Sequence, residues 1–294
     1  MRVGFAGLGA IGSPMAARLA AHHDLAVWNR TAAVADAFAS GHDCLAVATP
    51  RELAAHGEIV FTCLPSSGEV ADLAEGPDGL LAGVNAGTLV IDCTSGDPVR
   101  SKAMAARLAE RGVSFVDAPV SGGTNGAEAG TLTAMVGAGD DFARARSVLE
   151  AFCRTIIHAG PVGAGHALKA VSNAILATNI IAVAEGITAA VKAGVSAATA
   201  LEVLNASNAR SYASTDLVPQ RVLTRAWPRT FRLALLDKDT RNALEVLDGA
   251  GLQARLLGTT AAILAEAHAT LGEEADHVEV VKLFEEAAGV VLRG

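Results

Sequence analysis

The chain has 294 residues, of which 51% are hydrophobic and 18% charged, and its formal net charge is -8. This composition is typical of a soluble globular protein that is long enough for two domains. Because the charge is acidic and no block of Lys or Arg occurs, we expect neither nucleic acid nor a membrane as a partner. The four cysteines form no C-x-x-C pair and the histidines lack metal-ligand spacing, so we expect reduced thiols and no bound metal. The first residues show no cleavable apolar segment, and we expect a cytoplasmic protein.

Strand and helix patterns alternate through the first half of the chain. Short apolar runs predict strands, and Ala-rich segments between most of them predict helices. This alternation predicts an α/β fold with a doubly wound parallel sheet. The predicted strands are residues 2–6, 25–28, 59–64, 88–92, 114–117 and 132–136, and the predicted helices include residues 14–21, 31–40 and 98–111.

Only helical patterns follow residue 162, so we predict that the α/β domain spans residues 1–162 and that an all-helical domain spans residues 163–294. The first helix, about 28 residues and roughly 42 Å long, is Ala-rich on several faces and suits an oligomer interface. We therefore expect a homodimer or homotetramer. Polar side chains within this apolar segment make a membrane span a poor interpretation. The predicted helices are residues 165–193, 196–207, 235–247, 252–271 and 276–288.

A glycine-rich motif follows the first predicted strand. Its glycines form G-x-G-x-x-G between a strand and a helix, where they allow a tight turn, close approach to a pyrophosphate and close packing of the helix. We predict dinucleotide binding by the whole motif, and a structural turn without a ligand is the alternative. The residues of the motif are Gly7, Leu8, Gly9, Ala10, Ile11 and Gly12.

The end of the second predicted strand bears on the choice of cofactor. An acidic residue there would bind the ribose 2′-hydroxyl and favour NAD, but this chain has Asn29, Arg30 and Thr31. Asn29 can bind the ribose, while Arg30 and Thr31 can hold a 2′-phosphate. We predict that NADP is preferred and that NAD is possible. Alternatively, Arg30 is only solvated and Thr31 only caps the next helix.

Two further strand ends belong to the predicted carboxyl edge of the sheet, where ligands bind in such folds. Leu64 and Pro65 follow one strand, and Ser95 follows the next. We predict that these residues contact the nicotinamide side of the cofactor, and turns with helix caps are the alternative.

A single lysine, Lys169, is the only formally charged residue between positions 155 and 184. An ammonium in an apolar helix is costly unless it is paired, hydrated or used in chemistry. Asn173 follows four residues later on the same predicted helix face. We predict a functional pair, and a lysine that extends its amine into solvent is the alternative.

A serine followed by two glycines comes shortly after the predicted strand at residues 114–117. Ser121, Gly122 and Gly123 offer a hydroxyl and free backbone N–H groups around a small space. Such a nest can hold a carboxylate. A glycine turn without a ligand is the alternative.

Together these segments resemble the β-hydroxyacid dehydrogenase family, and within it the 3-hydroxyisobutyrate dehydrogenases most closely. The resemblance covers essentially the whole chain and implies an active site between a Rossmann-like domain and a helical domain. It implies that Lys169 is the catalytic acid/base, that Asn173 orients the substrate and that Ser121-Gly122-Gly123 holds the substrate carboxylate. The matching segments are residues 7–12, 117–123, 126–127, 130–133, 160–173 and 238–239.

The resemblance also implies that Lys238 lies near the nicotinamide and substrate, and a surface ion pair with Asp239 or Glu245 is the alternative. Ser95, Leu64 and Pro65 would line the cofactor site. The chain departs from the family where Thr240 replaces a leucine and where residues 207–210 read Ser-Asn-Ala-Arg. A basic residue often found after Asn-Arg-Thr is missing as well, so the preference for NADP is expected to be mild.

The implied reaction transfers a hydride between a small 3-hydroxy acid and NAD(P). The best candidate substrate is 3-hydroxyisobutyrate, which would be oxidised to methylmalonate semialdehyde in valine degradation. Neutral Lys169 would accept the hydroxyl proton, so oxidation should improve at alkaline pH. The alternatives are an NADPH-dependent reductase of tartronate semialdehyde, succinic semialdehyde or glyoxylate and, more remotely, a non-catalytic nucleotide-binding scaffold.

Overall fold

The computed structural model describes every residue from Met1 to Gly294. Its internal contacts divide the chain into two units, Met1–Lys169 and Ala170–Gly294. The division falls inside one continuous helix, Ala164–Lys192. The boundary predicted from the sequence, after residue 162, precedes the start of that helix.

The first unit is built on one mostly parallel sheet. The strands follow the order β3-β2-β1-β4-β5-β6-β8-β7, and β9 pairs with β8. Strands β1 to β6 are parallel, whereas β8 runs antiparallel to β6 and β7. The strands are β1 (Arg2–Ala6), β2 (Asp24–Trp28), β3 (Cys44–Ala46), β4 (Ile59–Thr62), β5 (Leu89–Asp92), β6 (Ser114–Asp117), β7 (Val120–Ser121), β8 (Leu132–Gly137) and β9 (Cys153–Gly160).

Helices cover both faces of this sheet. Successive strand residues point to opposite faces, and β4 shows the pattern, because Ile59 and Phe61 belong to one buried cluster while Val60 belongs to another. The first cluster includes side chains of α1, α2 and α8, and the second includes side chains of α3 to α6. The helices are α1 (Gly12–Ala20), α2 (Ala32–Gly41), α3 (Pro50–His56), α4 (Ser67–Ala74), α5 (Leu80–Gly83), α6 (Pro98–Ala109), α7 (Gly123–Ala129) and α8 (Phe142–Leu149).

The second unit is helical, as predicted, and contains no strand. A π-helical segment, Ala213–Val222, and a 3-10 turn, His277–Val280, accompany its α-helices. The α-helices are α9 (Ala164–Lys192), which begins in the first unit, α10 (Ala197–Ala206), α11 (Leu233–Gly249), α12 (Arg255–Leu271) and α13 (Val281–Ala288).

Helix α9 is long and apolar enough to cross a membrane by length and composition alone. Core helices of globular proteins pass the same test. In the structure Ile180, Ala184 and Ile187 are fully buried in the core of the second unit. The helix therefore occupies the position of a core helix.

The α/β fold class is confirmed, but the prediction missed several elements. Strands β3 and β7 have three and two residues, too short to show an alternating pattern. Strand β9 has largely exposed side chains on both faces, so apolar alternation is absent. The π-helical segment contains Pro219, which interrupts the sequence pattern of an α-helix.

Candidate active site

In the glycine-rich loop after β1, two glycines have no space for a side chain and the third borders open space. Gly7 has a φ of 103°, and a Cβ there would overlap the carbonyl oxygen of Cys63. A Cβ at Gly12 would overlap the carbonyl oxygen of Gly7. Gly9, in contrast, is exposed, and a Cβ there would meet no atom within 4 Å. The loop is thus held tightly at its base, while the backbone at Gly9 is accessible to a ligand.

The remaining residues of the loop differ in exposure. Leu8 is buried, Ile11 is half-buried and Ala10 is exposed. The backbone N–H of Leu8 donates a 3.1 Å hydrogen bond to Oδ1 of Asn29. The loop is therefore joined to the end of β2 by Asn29, the residue that was predicted to bind the ribose.

Asn29 is also bonded on its other side, because its Nδ2 donates to the carbonyl oxygen of Thr31 at 3.1 Å. Both Arg30 and Thr31 are exposed. Thr31 occupies the position before α2, but its side chain makes no capping hydrogen bond. The Arg30 and Thr31 side chains are thus solvent-accessible at the strand end where a 2′-phosphate would be recognised.

The ends of β4 and β5 are tied together by a buried polar network. Asp92 Oδ1 accepts hydrogen bonds from Thr62 Oγ1 at 2.7 Å and from the Thr94 N–H at 3.0 Å. Thr94 Oγ1 in turn accepts from the N–H of Leu64 at 3.1 Å. These bonds fix the segments that carry Leu64, Pro65 and Ser95, of which Pro65 is exposed and the other two are half-buried.

Except for Lys238, which lies on α11 of the second unit, the predicted cofactor residues therefore share one edge of the sheet. They follow the carboxyl ends of β2, β1, β4 and β5, which are consecutive in the sheet. In open α/β sheets this edge is where ligands bind. The accessible backbone at Gly9 and the exposed side chain of Arg30 fit the phosphates of a dinucleotide.

The predicted carboxylate segment follows the next strand along the sheet, β6. Ser121 is half-buried in β7 and pairs with Thr133 of β8. Gly122 and Gly123 are exposed and have φ values of 134° and 64°, a region that favours glycine. A Cβ at Gly123 would meet no atom within 4 Å. The segment has backbone geometry that favours glycine, and it borders open space at Gly123, whereas a Cβ at Gly122 would lie 3.0 Å from Leu132.

Lys169 lies in the second turn of α9 and is only 8% exposed. This burial disagrees with the alternative of a lysine that extends its amine into solvent. Asn173 follows four residues later and is 5% exposed. Its Nδ2 donates a 2.6 Å hydrogen bond to Oδ2 of Asp239.

Asp239 also contacts the second predicted lysine. Its Oδ1 lies 3.1 Å from Nζ of Lys238, whose side chain is 19% exposed. The ion pair considered as an alternative role for Lys238 is therefore present, although it is not a surface pair. Asp239 joins Asn173 and Lys238 in one group, which the sequence did not predict, because the lysine-aspartate dipeptide carries no signal of a contact with α9.

Two further residues, Asp117 and His166, were not predicted as site residues, and both are fully buried. Oδ1 of Asp117 accepts from the N–H of Gly163 at 2.7 Å, and Oδ2 accepts from the N–H of His166 at 2.8 Å. Burial raises the pKa of Asp117, although the charge of His166 and the two backbone donors oppose that shift. The sequence did contain a signal for this contact. Asp117 is an acid at the end of a strand, and α9 is preceded by Gly163, which has no side chain to cap the helix.

The His166 ring contacts two elements of the first unit. Its Nδ1 lies 2.6 Å from Oγ of Ser101 on α6, and its Nε2 lies 3.9 Å from Oδ2 of Asp92 at the end of β5. A Cβ at Gly96 would approach Cε1 of the ring to 2.7 Å. The first turn of α9 is therefore closely packed against the same sheet edge.

Comparison with known proteins agrees with this architecture in both halves. Residues 2–160 match the family described as the NAD binding domain of 6-phosphogluconate dehydrogenase. Residues 163–284 match the family described as the NAD-binding of NADP-dependent 3-hydroxyisobutyrate dehydrogenase. The chain belongs to the β-hydroxyacid dehydrogenase family. Membership in this family makes it a nicotinamide-dependent oxidoreductase in class, as the motifs predicted.

Three similar proteins of the family differ in their named substrates. The 2-(hydroxymethyl)glutarate dehydrogenase of Eubacterium barkeri is 36% identical over 100% of this chain and 98% of its own length. The NAD-dependent L-serine dehydrogenase of Pseudomonas aeruginosa is 39% identical over 72% of each chain. The structure of 3-hydroxyisobutyrate dehydrogenase from Mycobacterium tuberculosis with L-serine is 32% identical, covers 96% of this chain and 99% of that one, and has a TM-score of 0.88.

Proposed function

We propose that this β-hydroxyacid dehydrogenase oxidises a short 3-hydroxy acid, with Lys169 as the general acid/base. The buried position of Lys169 carries the proposal, because burial of a lysine amine is costly and is typical of a lysine that takes part in chemistry. The same unit supplies the glycine loop and the Ser121-Gly122-Gly123 segment. When bound, the nicotinamide accepts the hydride that leaves the alcohol carbon.

The acid/base step follows from the two protonation states of an amine. In oxidation, neutral Lys169 accepts the proton of the substrate hydroxyl as the carbonyl forms. In reduction, the ammonium of Lys169 returns a proton to the developing alkoxide. A positioned acid/base group of this kind contributes about 100-fold to 10,000-fold to the rate.

Asn173 is proposed to position the same substrate oxygen. Because one hydrogen of its Nδ2 is donated to Asp239, the orientation of the amide is fixed. The second Nδ2 hydrogen and the Oδ1 acceptor then point in set directions. The Lys238 ammonium balances the Asp239 carboxylate at 3.1 Å.

The substrate class is inferred from the chemistry that the named substrates of the three similar proteins share. Each of those acids carries a hydroxymethyl group on the carbon next to a carboxylate. They differ only in the third substituent of that carbon, which is methyl in 3-hydroxyisobutyrate, ammonium in L-serine and carboxyethyl in 2-(hydroxymethyl)glutarate. We propose that Ser121 with the Gly122 and Gly123 amides binds the shared carboxylate and that 3-hydroxyisobutyrate is the preferred acid.

NADP is the proposed cofactor. Arg30 and Thr31 are exposed at the end of β2, where no acidic side chain opposes a 2′-phosphate. The description of the family that matches residues 163–284 names an NADP-dependent enzyme. NAD is also a usable cofactor in this proposal, because we propose that Asn29 binds the ribose, which both cofactors share.

The test is a substrate panel followed by one substitution. The panel contains the three hydroxymethyl acids with oxidised NADP and NAD, and succinic semialdehyde, tartronate semialdehyde and glyoxylate with NADPH and NADH. The proposal requires the highest kcat/KM among the hydroxymethyl acids with NADP. Lys169→Ala should lower kcat by about 1,000-fold while cofactor affinity, measured by fluorescence titration, stays within about threefold. Turnover within tenfold of the wild type would overturn the acid/base assignment.

A further inference from the structure

We propose that Asp117 and His166 are positioning residues, which anchor the first turn of α9 and so hold Lys169 at a fixed distance from the Ser121-Gly122-Gly123 segment. The inference rests on the proposed acid/base role of Lys169. All of the residues that carry it belong to the first unit.

The N-terminus of α9 is capped from another element of the chain. The leading N–H groups of a helix have no partner within it, and a side chain of the preceding residue usually accepts from one of them. Here that residue is Gly163, which has no side chain and a φ of 92°. The carboxylate of Asp117 replaces the missing cap from the end of β6, with one oxygen on Gly163 N–H and the other on His166 N–H.

The carboxylate of Asp117 is closely surrounded by backbone atoms. A Cβ at Gly137 would overlap the Asp117 carboxylate, and a Cβ at Gly165 would overlap the carbonyl oxygen of Met135. A Cβ at Gly165 would also lie 2.9 Å from Asp117 Oδ2. The helix start therefore packs directly against β6 and β8, and contact with Met135 and Asp117 opposes any shift of α9 toward these strands.

Rotation of α9 about its axis is opposed by His166. Oγ of Ser101 on α6 forms a 2.6 Å hydrogen bond with Nδ1 of His166. Lys169 follows His166 by three residues and lies on the same side of the helix. Side chains extend to about 6 Å from a helix axis, so a rotation of about 10° would move the end of such a side chain by about 1 Å. Because a misplacement of about 1 Å can cost about 100-fold in rate, this anchor bears directly on Lys169.

The Asp117 cap is also connected to the segment proposed to bind the substrate. Asp117 ends β6, and the same short segment continues through Ala118 and Pro119 to Ser121. Ala118 is buried, and its N–H donates to the carbonyl oxygen of Asp92 at 2.7 Å. The residue that caps the lysine helix thus lies in the same short segment as Ser121, and a hydrogen bond to Asp92 joins that segment to β5.

The test combines a double-mutant cycle with an isotope effect. The variants are Asp117→Asn, Lys169→Ala and the double variant, assayed with NADP and 3-hydroxyisobutyrate deuterated at the hydroxymethyl carbon. If the substrate panel gives a higher kcat/KM for L-serine or 2-(hydroxymethyl)glutarate than for 3-hydroxyisobutyrate, the deuterated form of that acid is used instead. We expect Asp117→Asn to lower kcat by about 30-fold when Lys169 is present but by less than about threefold when it is absent. The deuterium isotope effect on kcat should also rise, because hydride transfer from the deuterated carbon, coupled to proton transfer to a misplaced Lys169, then limits turnover.

A purely structural role would give a different result. Loss of active protein lowers kcat without changing the isotope effect, and it lowers the rate equally in both Lys169 backgrounds. Leu149→Ala, a truncation in the buried cluster at α8, is the control for such a loss. An equal decrease in both backgrounds, or an unchanged isotope effect for Asp117→Asn, would overturn the inference.

A second variant covers the case in which Asp117→Asn does not fold. Ser101→Ala removes the partner of His166 and leaves the Asp117 cap intact, and it should lower kcat by about tenfold with the same rise in the isotope effect. A wild-type isotope effect in this variant would contradict the inference. The proposed function is tested separately. If Lys169→Ala retains activity, the proposed function is wrong, whatever the result for Asp117→Asn.

Discussion

The side-chain amide of Asn173 donates a 2.6 Å hydrogen bond to the carboxylate of Asp239, and both residues are buried in the second unit. The bond joins α9 to α11, the helix that also carries Lys238. A carboxylate can only accept hydrogen bonds, so the partner atom on Asn173 must be its nitrogen. The orientation of the amide is therefore set by a group that does not itself need to touch the substrate.

Replacement of Asp239 should weaken substrate binding more than cofactor binding. In Asp239→Asn the amide of residue 239 can donate as well as accept, so Asn173 loses its fixed orientation and Lys238 loses its counter-charge. We expect KM for the hydroxy acid to rise by about tenfold to 100-fold, as for a lost hydrogen bond to a charged group, while KM for NADP stays within about threefold. Steady-state kinetics with both substrates varied would measure this. Asp237→Asn, a buried neighbour on the same helix, is the matched control and should leave both KM values close to the wild type.

The oxidation rate should depend on pH through Lys169. Oxidation needs the neutral amine as a base, so kcat/KM for oxidation should rise with pH, and reduction should show the opposite trend. Lys169→Ala should remove most of this dependence, and its residual rate should vary by less than about threefold between pH 7 and 10. The measurement is a pH profile of both directions with the wild type and the variant. A profile that keeps its slope without Lys169 would assign the titration to another group.

The sequence predicted the parts of the fold whose signals are local. The pattern at β1 and the glycines at positions 7, 9 and 12 predicted a strand, a loop and a helix, and the structure has all three. The all-helical second half followed from long Ala-rich patterns in the same way. Strand β7 and the π-helical segment were missed, because two residues carry no period and because Pro219 interrupts the helical pattern.

The site residues likewise include some with a local sequence signal and some without one. Lys169 could be singled out because a lone charge in an apolar segment is visible in one dimension. Asp117 and Asp239 could not, since their roles depend on contacts with Gly163, His166 and Asn173, which are 46, 49 and 66 positions away in the chain. A carboxylate that caps a distant helix has the same local sequence as one that ends in solvent.

Arg30 should determine the preference between the two cofactors. A charge-assisted contact with the 2′-phosphate is available to NADP but not to NAD. We expect Arg30→Ala to lower kcat/KM for NADP by about tenfold to 100-fold and to leave the value for NAD within about twofold. The ratio of the two constants, measured with one hydroxy acid, checks this. Arg154→Ala, which removes another exposed arginine of the first unit, should leave the ratio unchanged.

His268 should stabilise the second unit in a pH-dependent way. A hydrogen bond of its Nδ1 to Asp237 at 3.0 Å raises the pKa of His268 above its usual 6.5, against desolvation, and Glu273 on Nε2 adds to the rise. Because the pKa is higher in the folded chain, this stabilisation is complete below the unfolded pKa and is lost as pH rises through the folded pKa. We expect His268→Gln to lower the free energy of unfolding by about 1 kcal/mol at pH 6 and by much less at pH 9. Denaturant unfolding at both pH values measures the difference, and His22→Gln, at an exposed histidine, should show none. A deficit of His268→Gln that stays constant from pH 6 to pH 9 would mean that packing of the ring, and not its charge, stabilises the unit.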